Sequence, residues 1–392
     1  MSNFDPAAAT AGYLSALTPE QHARATAYTQ GGHWLLLWSA LIGLAISYLI
    51  LRSGVLVRVR DAVQAKGSKP CRAALAVLFV GSLIEMLLGL PWAVYSDWAR
   101  EKAYGLTSRP FGGWLGEHVL LTAISLMITL PLLALLYSLI RARPKSWWLW
   151  GAGAFSAVML VLQVLAPVTI MPLINQYKPA PPGPVRDMVV AMAKANGVPS
   201  DKIFIYDGSK QSNRYTANVA GLFGTARVAM SDVMFKKDAD LAEVRGVVGH
   251  EMGHYVHRHG LWLSAGFGGL ALVTLFLIDR LFPLAVTLTR ARGVGSLSDP
   301  AGYPVVSMLV TVLALLGTPL TSSLTRLAES DADTFSLTRF NEPDGLAKAL
   351  AKTIEYRAAT PSQLEEVIFY DHPAVGHRIR KAMDWKASHP KP

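Results

Sequence analysis

The sequence predicts a predominantly α-helical, polytopic membrane protein with about six transmembrane helices and a small α+β domain. Its composition leads to this fold class. Charged residues make up 16% of the 392 residues, whereas soluble proteins carry about 25%, and hydrophobic residues make up 52%. The apolar residues are gathered into six long runs, which leaves one polar, mixed segment in the second half of the chain.

Each run approaches the ~20 apolar residues that a helix needs to cross a bilayer. Trp or Tyr stands at an end of several runs, as is typical of helices that meet the head-group region. Six such runs in one chain disfavour the alternative, buried helices of a large soluble protein. The predicted spans are residues 34–51, 73–95, 119–140, 147–170, 261–286 and 303–320.

Charge and cysteine usage exclude several classes of protein. The net charge is +10, and many Lys and Arg flank the apolar runs, which favours contact with anionic lipid over nucleic acid. The single cysteine, Cys71, excludes an intrachain disulfide and a cysteine-rich metal site. The first 33 residues lack the basic start and apolar core of a signal peptide, so the first run is expected to be a retained span.

The polar segment between the fourth and fifth spans predicts mixed secondary structure. A helix is expected over 185–196, strands over 203–206 and 227–230, and a helix over 239–259. After the sixth span, the sequence predicts two further helices. These cover residues 324–339 and 343–358.

Residues 247–254 contain the pattern HExxH, formed by His250, Glu251 and His254. Helical residues four apart lie on one face, so the two imidazoles can bind one metal ion, while the glutamate can take a proton from a water molecule beside it. Catalytic zinc has three protein ligands and keeps one position open. The pattern predicts a zinc-dependent metalloendopeptidase with one zinc ion per chain. Gly249 and Gly253 on the same helix indicate close packing against a second element.

A third ligand must come from elsewhere in the polar half of the chain. A histidine of the HExxHxxGxxH type is excluded, because Gly260 occupies that position. Glu329 and Asp333 are four apart on a predicted helix, so one can bind metal while the other orients a ligand histidine. The two intervening spans form a hairpin that returns the chain to the same side of the membrane. The candidates are His257, His259, Glu329, Asp331, Asp333 and His372.

These predictions divide the chain into four segments. Residues 1–171 form an N-terminal region with four transmembrane helices, and residues 172–260 form the zinc-protease domain with the HExxH helix. Residues 261–322 form a transmembrane hairpin. Residues 323–392 form a C-terminal segment that carries the third ligand.

Further short motifs make the chain resemble the membrane-embedded zinc endopeptidases that include the type I CAAX prenyl proteases and the HtpX-like heat-shock proteases. They are Leu90-Pro91-Trp92, Arg100-Glu101-Lys102, residues 207–210, and Tyr370-Asp371-His372-Pro373 followed by Arg378-Ile379. The resemblance covers most of the chain, and its length and six spans favour the prenyl-protease branch. It implies zinc ligands His250, His254 and Glu329, Glu251 as general base, Asp333 as a supporting carboxylate, and His372 and Arg378 near the reacting atoms.

The resemblance also implies a helical membrane chamber capped by a small zincin-like domain. The expected activity is hydrolysis of peptide bonds in membrane-associated polypeptides, which are lipidated in the prenyl-protease branch. The strand over 227–230 is expected to hold the peptide by β-augmentation. The family's Asn-Ala-aromatic motif is replaced here by Tyr215-Thr216-Ala217-Asn218, so either Thr216 or Asn218 stands for its asparagine.

Two alternative functions remain at this stage. One is an HtpX-like protease for quality control of membrane proteins. The other is a non-enzymatic membrane scaffold with a structural zinc site, which would be closed by four protein ligands. The oligomeric state is not determined by the sequence.

The orientation in the membrane follows from two arguments that disagree. The loop over 52–72 carries Arg52, Arg58, Arg60, Lys66, Lys69 and Arg72, and the positive-inside rule places it in the cytoplasm. Six crossings then put the zinc domain outside. The resemblance implies the cytosolic side, and we expect that orientation, in the inner membrane if the protein is bacterial.

Overall fold

The computed structural model describes residues 4–65, 67, 69–211, 216–236 and 239–390. Among these residues, six helices are long and apolar enough to cross a membrane, which confirms the predicted number. Only 6% to 28% of the most apolar window of each helix is buried inside the protein, as expected of surfaces that face lipid. The six helices are Pro19–Ser53, Pro70–Ala103, Phe111–Ala142, Trp147–Thr169, His259–Thr289 and Pro300–Phe340.

The first membrane helix is α2 (Pro19–Ser53), and the second consists of α4 (Pro70–Ala93), a π-helical turn and α5 (Arg100–Ala103). The others are α6 (Phe111–Ala142), α7 (Trp147–Thr169), α11 (His259–Thr289) and α12 (Tyr303–Phe340). The remaining helices are α1 (Pro6–Leu14), α3 (Val55–Gln64), α8 (Met171–Ile174), α9 (Pro184–Ala195), α10 (Leu241–Val256), α13 (Pro343–Lys352), α14 (Gln363–Phe369) and α15 (Val375–Ser388).

Local sequence signals explain where several helices begin. Proline occupies the first turn of α1, α2, α4, α9 and α13, where its missing N–H costs nothing and its fixed φ suits the helix. Helix α2 also has a capping box, in which Thr18 and Gln21 satisfy each other's backbone N–H groups.

A four-stranded sheet packs beside α10. Its strands are β1 (Tyr177–Pro179), β2 (Ile203–Tyr206), β3 (Ala217–Ala220) and β4 (Arg227–Ser231), in the spatial order β1-β2-β4-β3. The expectation that the strand over 227–230 holds the peptide by β-augmentation is wrong, because β4 lies fully buried between parallel β2 and antiparallel β3 and has no free edge. The edge strand next to β4 is β3, which was not predicted from the sequence.

The core of the polar domain lies between this sheet, α9 and α10. Val244, Val248 and Met252 form one fully buried face of α10, and they pack with Val228 and Met230 of β4. This arrangement fixes which face of α10 points away from the sheet and toward α12.

Two glycines allow α10 to approach α12. A Cβ on Gly249 would lie 2.6 Å from the ring of Phe340, and one on Gly253 would lie 3.0 Å from the Cα of Ala332. No larger residue fits at the observed separation of the two helices. The expected close packing of the HExxH helix is therefore confirmed, and α12 is the element that it packs against.

Helix boundaries differ from the predictions at three places. The predicted helix over 239–259 is interrupted, because α10 ends at Val256 and Arg258 has a φ of 55° before α11 begins. The sixth span and the helix over 324–339 form the single helix α12. The helix over 343–358 is shorter, since α13 ends at Lys352 and a 3-10 turn follows.

Candidate metal centre

The crossing of α10 and α12 brings three side chains together. His250 and His254 project from α10, and Glu329 projects from α12. Nε2 of His250 lies 3.1 Å from Nε2 of His254 and 3.0 Å from Oε2 of Glu329, and Oε1 of Glu329 lies 3.4 Å from Nε2 of His254. Two nitrogens and one carboxylate therefore converge, all within 4.8 Å of one another.

The chemistry of these donors fits a divalent cation. Two imidazole nitrogens that face each other at 3.1 Å repel unless one carries a proton or both point at a cation. Oε2 of Glu329 is buried and accepts no hydrogen bond of acceptable geometry, although an unpaired buried carboxylate oxygen is costly. Two histidines and one carboxylate are a ligand set typical of catalytic zinc.

A buried carboxylate contacts His250 at Nδ1, the ring nitrogen that does not face the other ligand atoms. Nδ1 of His250 lies 2.9 Å from Oδ1 of Asp333, and Nε and Nη2 of Arg378 donate to the two oxygens of that carboxylate. Burial alone lowers the pKa of His250, but the neighbouring carboxylates of Asp333 and Glu329 outweigh burial and raise the pKa to about 9. With the proton on Nδ1, the lone pair of Nε2 faces the other two donors.

Glu251 faces a cleft of about 880 Å³ beside this cluster. Burial raises the pKa of Glu251 above its usual range, although the two histidines beside it act in the opposite direction. The residues that line the cleft include Ala217 of β3 and Leu346 of α13. The volume of the cleft is large enough for several residues of an extended peptide.

His372 and Arg378 also line the cleft, but they face different partners. Nε2 of His372 lies 3.3 Å from Oε2 of Glu329, and its Nδ1 lies 2.8 Å from the carboxylate of Asp371. Arg378 is 7% exposed and directs two of its nitrogens at Asp333. His372 therefore borders the reacting region, whereas Arg378 supports the residue behind His250.

The other third-ligand candidates form a separate cluster. His257, His259 and Asp331 contact one another on the far side of His254, and none of them joins the group of His250, His254 and Glu329. Of the two residues considered for the family's asparagine, Thr216 lines the cleft, whereas Asn218 is not among its lining residues. Tyr215 lies outside the described residues.

One part of the cleft had no signal in the sequence. Residues 105–108, in the loop between the second and third membrane helices, line the cleft together with the zinc-domain residues. Ser108 attaches this loop to the polar domain, since its hydroxyl donates to the carbonyl of Lys210 and its backbone N–H donates to the carbonyl of Gln211. No spacing rule links a membrane loop to a site more than a hundred residues later, so only the packing of the chain identifies these residues.

Comparison with protein families gives two matches that together cover almost the whole chain. The N-terminal model of the CAAX prenyl proteases, described as five membrane helices, matches residues 7–176, a range in which this chain has four of its six candidate spans. The model of peptidase family M48 matches residues 179–386, which include all the site residues named above.

Individual relatives agree with the family matches. The chain is 26% identical to the uncharacterized metalloprotease YhfN of Bacillus subtilis, over 94% of this chain and 87% of the relative. It is 25% identical to CAAX prenyl protease 1 of Saccharomyces cerevisiae, over 80% of this chain and 72% of the relative. The crystal structure of S. mikatae Ste24p has a similar fold, with a TM-score of 0.79, 20% identity, and coverage of 94% of this chain and 90% of that one.

Proposed function

Because the chain belongs to peptidase family M48, we propose that His250, His254 and Glu329 hold a catalytic zinc ion with which the protein hydrolyses polypeptides at the membrane. The protein is a multi-pass membrane metalloprotease that resembles the CAAX prenyl proteases. It is therefore an enzyme, and the hypothesis of a non-enzymatic scaffold is excluded.

The convergence of three ligand atoms from α10 and α12 carries the proposal. The buried Oε2 of Glu329, which accepts no hydrogen bond, and the facing nitrogens of the two histidines are explained together by one cation. When bound, zinc supplies a Lewis acid that polarises the scissile carbonyl and makes water more acidic.

The proposed roles of the protein's own residues follow from their positions. Glu251 accepts the proton of the attacking water on its carboxylate and passes it to the nitrogen of the leaving amine. His372 borders the cleft, where its imidazole can donate to the carbonyl oxygen as negative charge develops there. Asp333 contacts the ring of His250, and Arg378 holds the Asp333 carboxylate in place.

The substrate is proposed to bind as an extended strand along β3. Backbone Ser231 N–H donates to the carbonyl of Thr216, so Ala217 and Met230 form a pair without mutual hydrogen bonds. The N–H and C=O of Ala217 therefore point away from β4, into the cleft that also contains Glu251. They can pair with a peptide backbone by β-augmentation.

The named relatives suggest the substrate class. Several are CAAX prenyl proteases, and the match of the CAAX-type N-terminal region favours this branch over an HtpX-like role in quality control. We propose lipidated polypeptides as substrates, with the lipid chain in contact with the membrane helices.

For the orientation, we propose that the site faces the cytosol, as the resemblance implies. The basic loop lies at the other end of the bundle, since Arg60 of α3 binds Asp299 just before α12. Glu329 lies 26 residues after Tyr303 on α12, or ~39 Å along the helix. Applied to this loop, the positive-inside rule therefore favours the opposite orientation, with the site outside the cytosol. A topology experiment distinguishes the two orientations.

The proposed activity is tested by comparing bound zinc and peptide cleavage in detergent-purified wild type and Glu251→Gln. We expect the variant to keep about one zinc per chain and to lose cleavage by a factor of at least ~100. Glu20→Gln, at an exposed position in the first turn of α2, is the matched control and should behave as wild type. Undiminished cleavage by Glu251→Gln would contradict the proposed base.

A further inference from the structure

His254 is connected to a distant carboxylate through a second histidine. Nδ1 of His254 lies 2.8 Å from Nδ1 of His259, and Nε2 of His259 lies 2.9 Å from Oδ2 of Asp331. The two imidazole rings meet edge to face, with planes at 81°. The three side chains form a continuous series of polar contacts that starts at the metal centre.

The break between α10 and α11 makes this contact possible. In a continuous helix, residues 254 and 259 would lie ~140° apart around the axis, on different faces. The left-handed conformation of Arg258 redirects the chain and places His259 at the start of α11, beside His254. His259 is 2% exposed, so its ring nitrogens depend on protein partners.

Counting protons along the series assigns every hydrogen. If Nε2 of His254 offers its lone pair to a metal, the proton of this neutral ring is on Nδ1. Nδ1 of His259 must then accept that proton's hydrogen bond, which leaves the proton of His259 on Nε2. That N–H donates to the carboxylate of Asp331, an acceptor. The arrangement of protons that metal binding at Nε2 of His254 requires therefore satisfies both contacts of the series.

We propose that His259 is a positioning residue that fixes the tautomer and ring orientation of His254, and that Asp331 fixes His259 in the same way. The inference rests on the proposed ligand set. With this role assigned, α12 supplies the ligand Glu329 and also the two carboxylates that orient the histidine ligands. Asp333 holds His250 directly, whereas Asp331 holds His254 through one intervening imidazole.

The same assignment of protons argues against a second metal ion at the cluster of His257, His259 and Asp331. His257, His259 and Asp331 have ligand atoms close enough to bind a cation. However, Nε2 of His259 carries a proton in the assigned arrangement, so it has no lone pair for a metal. The hydrogen bond from His257 to Asp331 instead anchors the carboxylate. We therefore expect one zinc ion per chain.

The test measures the zinc dissociation constant of the purified full-length protein by competition with a chromophoric chelator. His259→Leu, which cannot accept the hydrogen bond, should bind zinc about 10- to 100-fold more weakly than wild type. His259→Gln, whose side-chain oxygen can accept from Nδ1–H, should recover most of this loss. Asp331→Asn should show a smaller loss than His259→Leu, because its oxygen still accepts but carries no charge.

His257→Leu is the matched control, because His257 also contacts Asp331 but not His254. It should change the dissociation constant by less than about 3-fold, since it removes no contact of a ligand. Circular dichroism of the metal-free variants checks their folding. If His259→Leu does not fold, the zinc affinities of Asp331→Asn and His257→Leu are compared instead. Only Asp331→Asn changes the group that accepts the hydrogen bond of His259, so a loss of affinity in Asp331→Asn alone would support the positioning role.

Wild-type zinc affinity in folded His259→Leu would overturn the inference. So would two zinc ions per wild-type chain that fall to one in His257→Leu, because that result indicates a second metal site. His254→Leu separates this inference from the proposed function. If His254→Leu keeps wild-type affinity, the ligand set itself is wrong, whereas loss in His254→Leu without loss in His259→Leu rejects only the positioning role.

Discussion

Arg378 donates to both oxygens of the Asp333 carboxylate, through Nε and Nη2 at 2.7 Å each. Both side chains are buried, and the same carboxylate contacts Nδ1 of His250. A bidentate partner is needed here because a carboxylate without a counter-charge is costly in a buried site. The arginine thus allows a charged group to orient a metal ligand from inside the protein.

Arg378→Leu should destabilise the protein strongly, because Asp333 then keeps a buried charge without its partner. We expect a loss of about 3–5 kcal/mol in the free energy of unfolding, measured on metal-free protein in detergent. Arg380→Leu on the same helix is the control. Its exposed ion pair with Asp384 should contribute less than about 1 kcal/mol. Equal effects of the two substitutions would show that the buried pair has no special role.

Gly253→Ala should weaken zinc binding without changing any ligand. The added Cβ would lie 3.0 Å from the Cα of Ala332, so α10 and α12 must separate and carry His254 away from Glu329. Gly317→Ala on α12 meets nothing within 4 Å and should be neutral or stabilising by up to ~1 kcal/mol. Zinc affinity measured for both variants checks this. Wild-type zinc affinity in Gly253→Ala would contradict the prediction, because it would show that α10 and α12 can accommodate the added Cβ without weakening the metal site.

Ala217→Pro should reduce substrate binding, because it removes the outward N–H of the edge strand. We expect kcat/KM to fall about tenfold, the equivalent of one lost hydrogen bond of ~1.4 kcal/mol, while zinc content stays at the wild-type level. Ala217→Ser keeps the N–H and is the control. If both variants cleave as wild type does, the peptide does not pair with β3.

Removal of the metal should abolish cleavage and lower thermal stability together. The ligands come from two helices, so a cation that binds only the folded site stabilises it by about 4 kcal/mol at a free concentration of 1,000 Kd. Cleavage and the unfolding temperature, followed during chelation and zinc titration, should change in parallel. His250→Leu is the control, and its unfolding temperature should not respond to zinc.

Topology can be measured with alkaline phosphatase, which is active only outside the cytosol, in a bacterial host. With a cytosolic site, a fusion after Pro392 should be inactive, and a fusion after Gly295, in the loop between α11 and α12, should be active. The reverse pattern would place the site outside, as the basic loop at the opposite end of the bundle favours.

The predictions from sequence succeeded where short-range patterns carry the information. Strand β2 has the predicted bounds, and the six spans were located from apolar length alone. The missed strands β1 and β3 are three and four residues long, too short for an alternating pattern to identify them. Peptide binding was predicted for β4 and not for the edge strand β3, since strand order in a sheet is a tertiary property that the sequence does not show.

The sequence by itself determined that this protein crosses the membrane about six times and carries an HExxH helix, because bilayer thickness and helical periodicity act within one segment of chain. Tertiary structure alone decided which distant groups complete the site. Glu329 reaches His250 because two glycines let α10 and α12 touch, and His259 reaches His254 because the chain turns at Arg258. Such contacts depend on how elements pack, and spacing along the chain does not encode that packing.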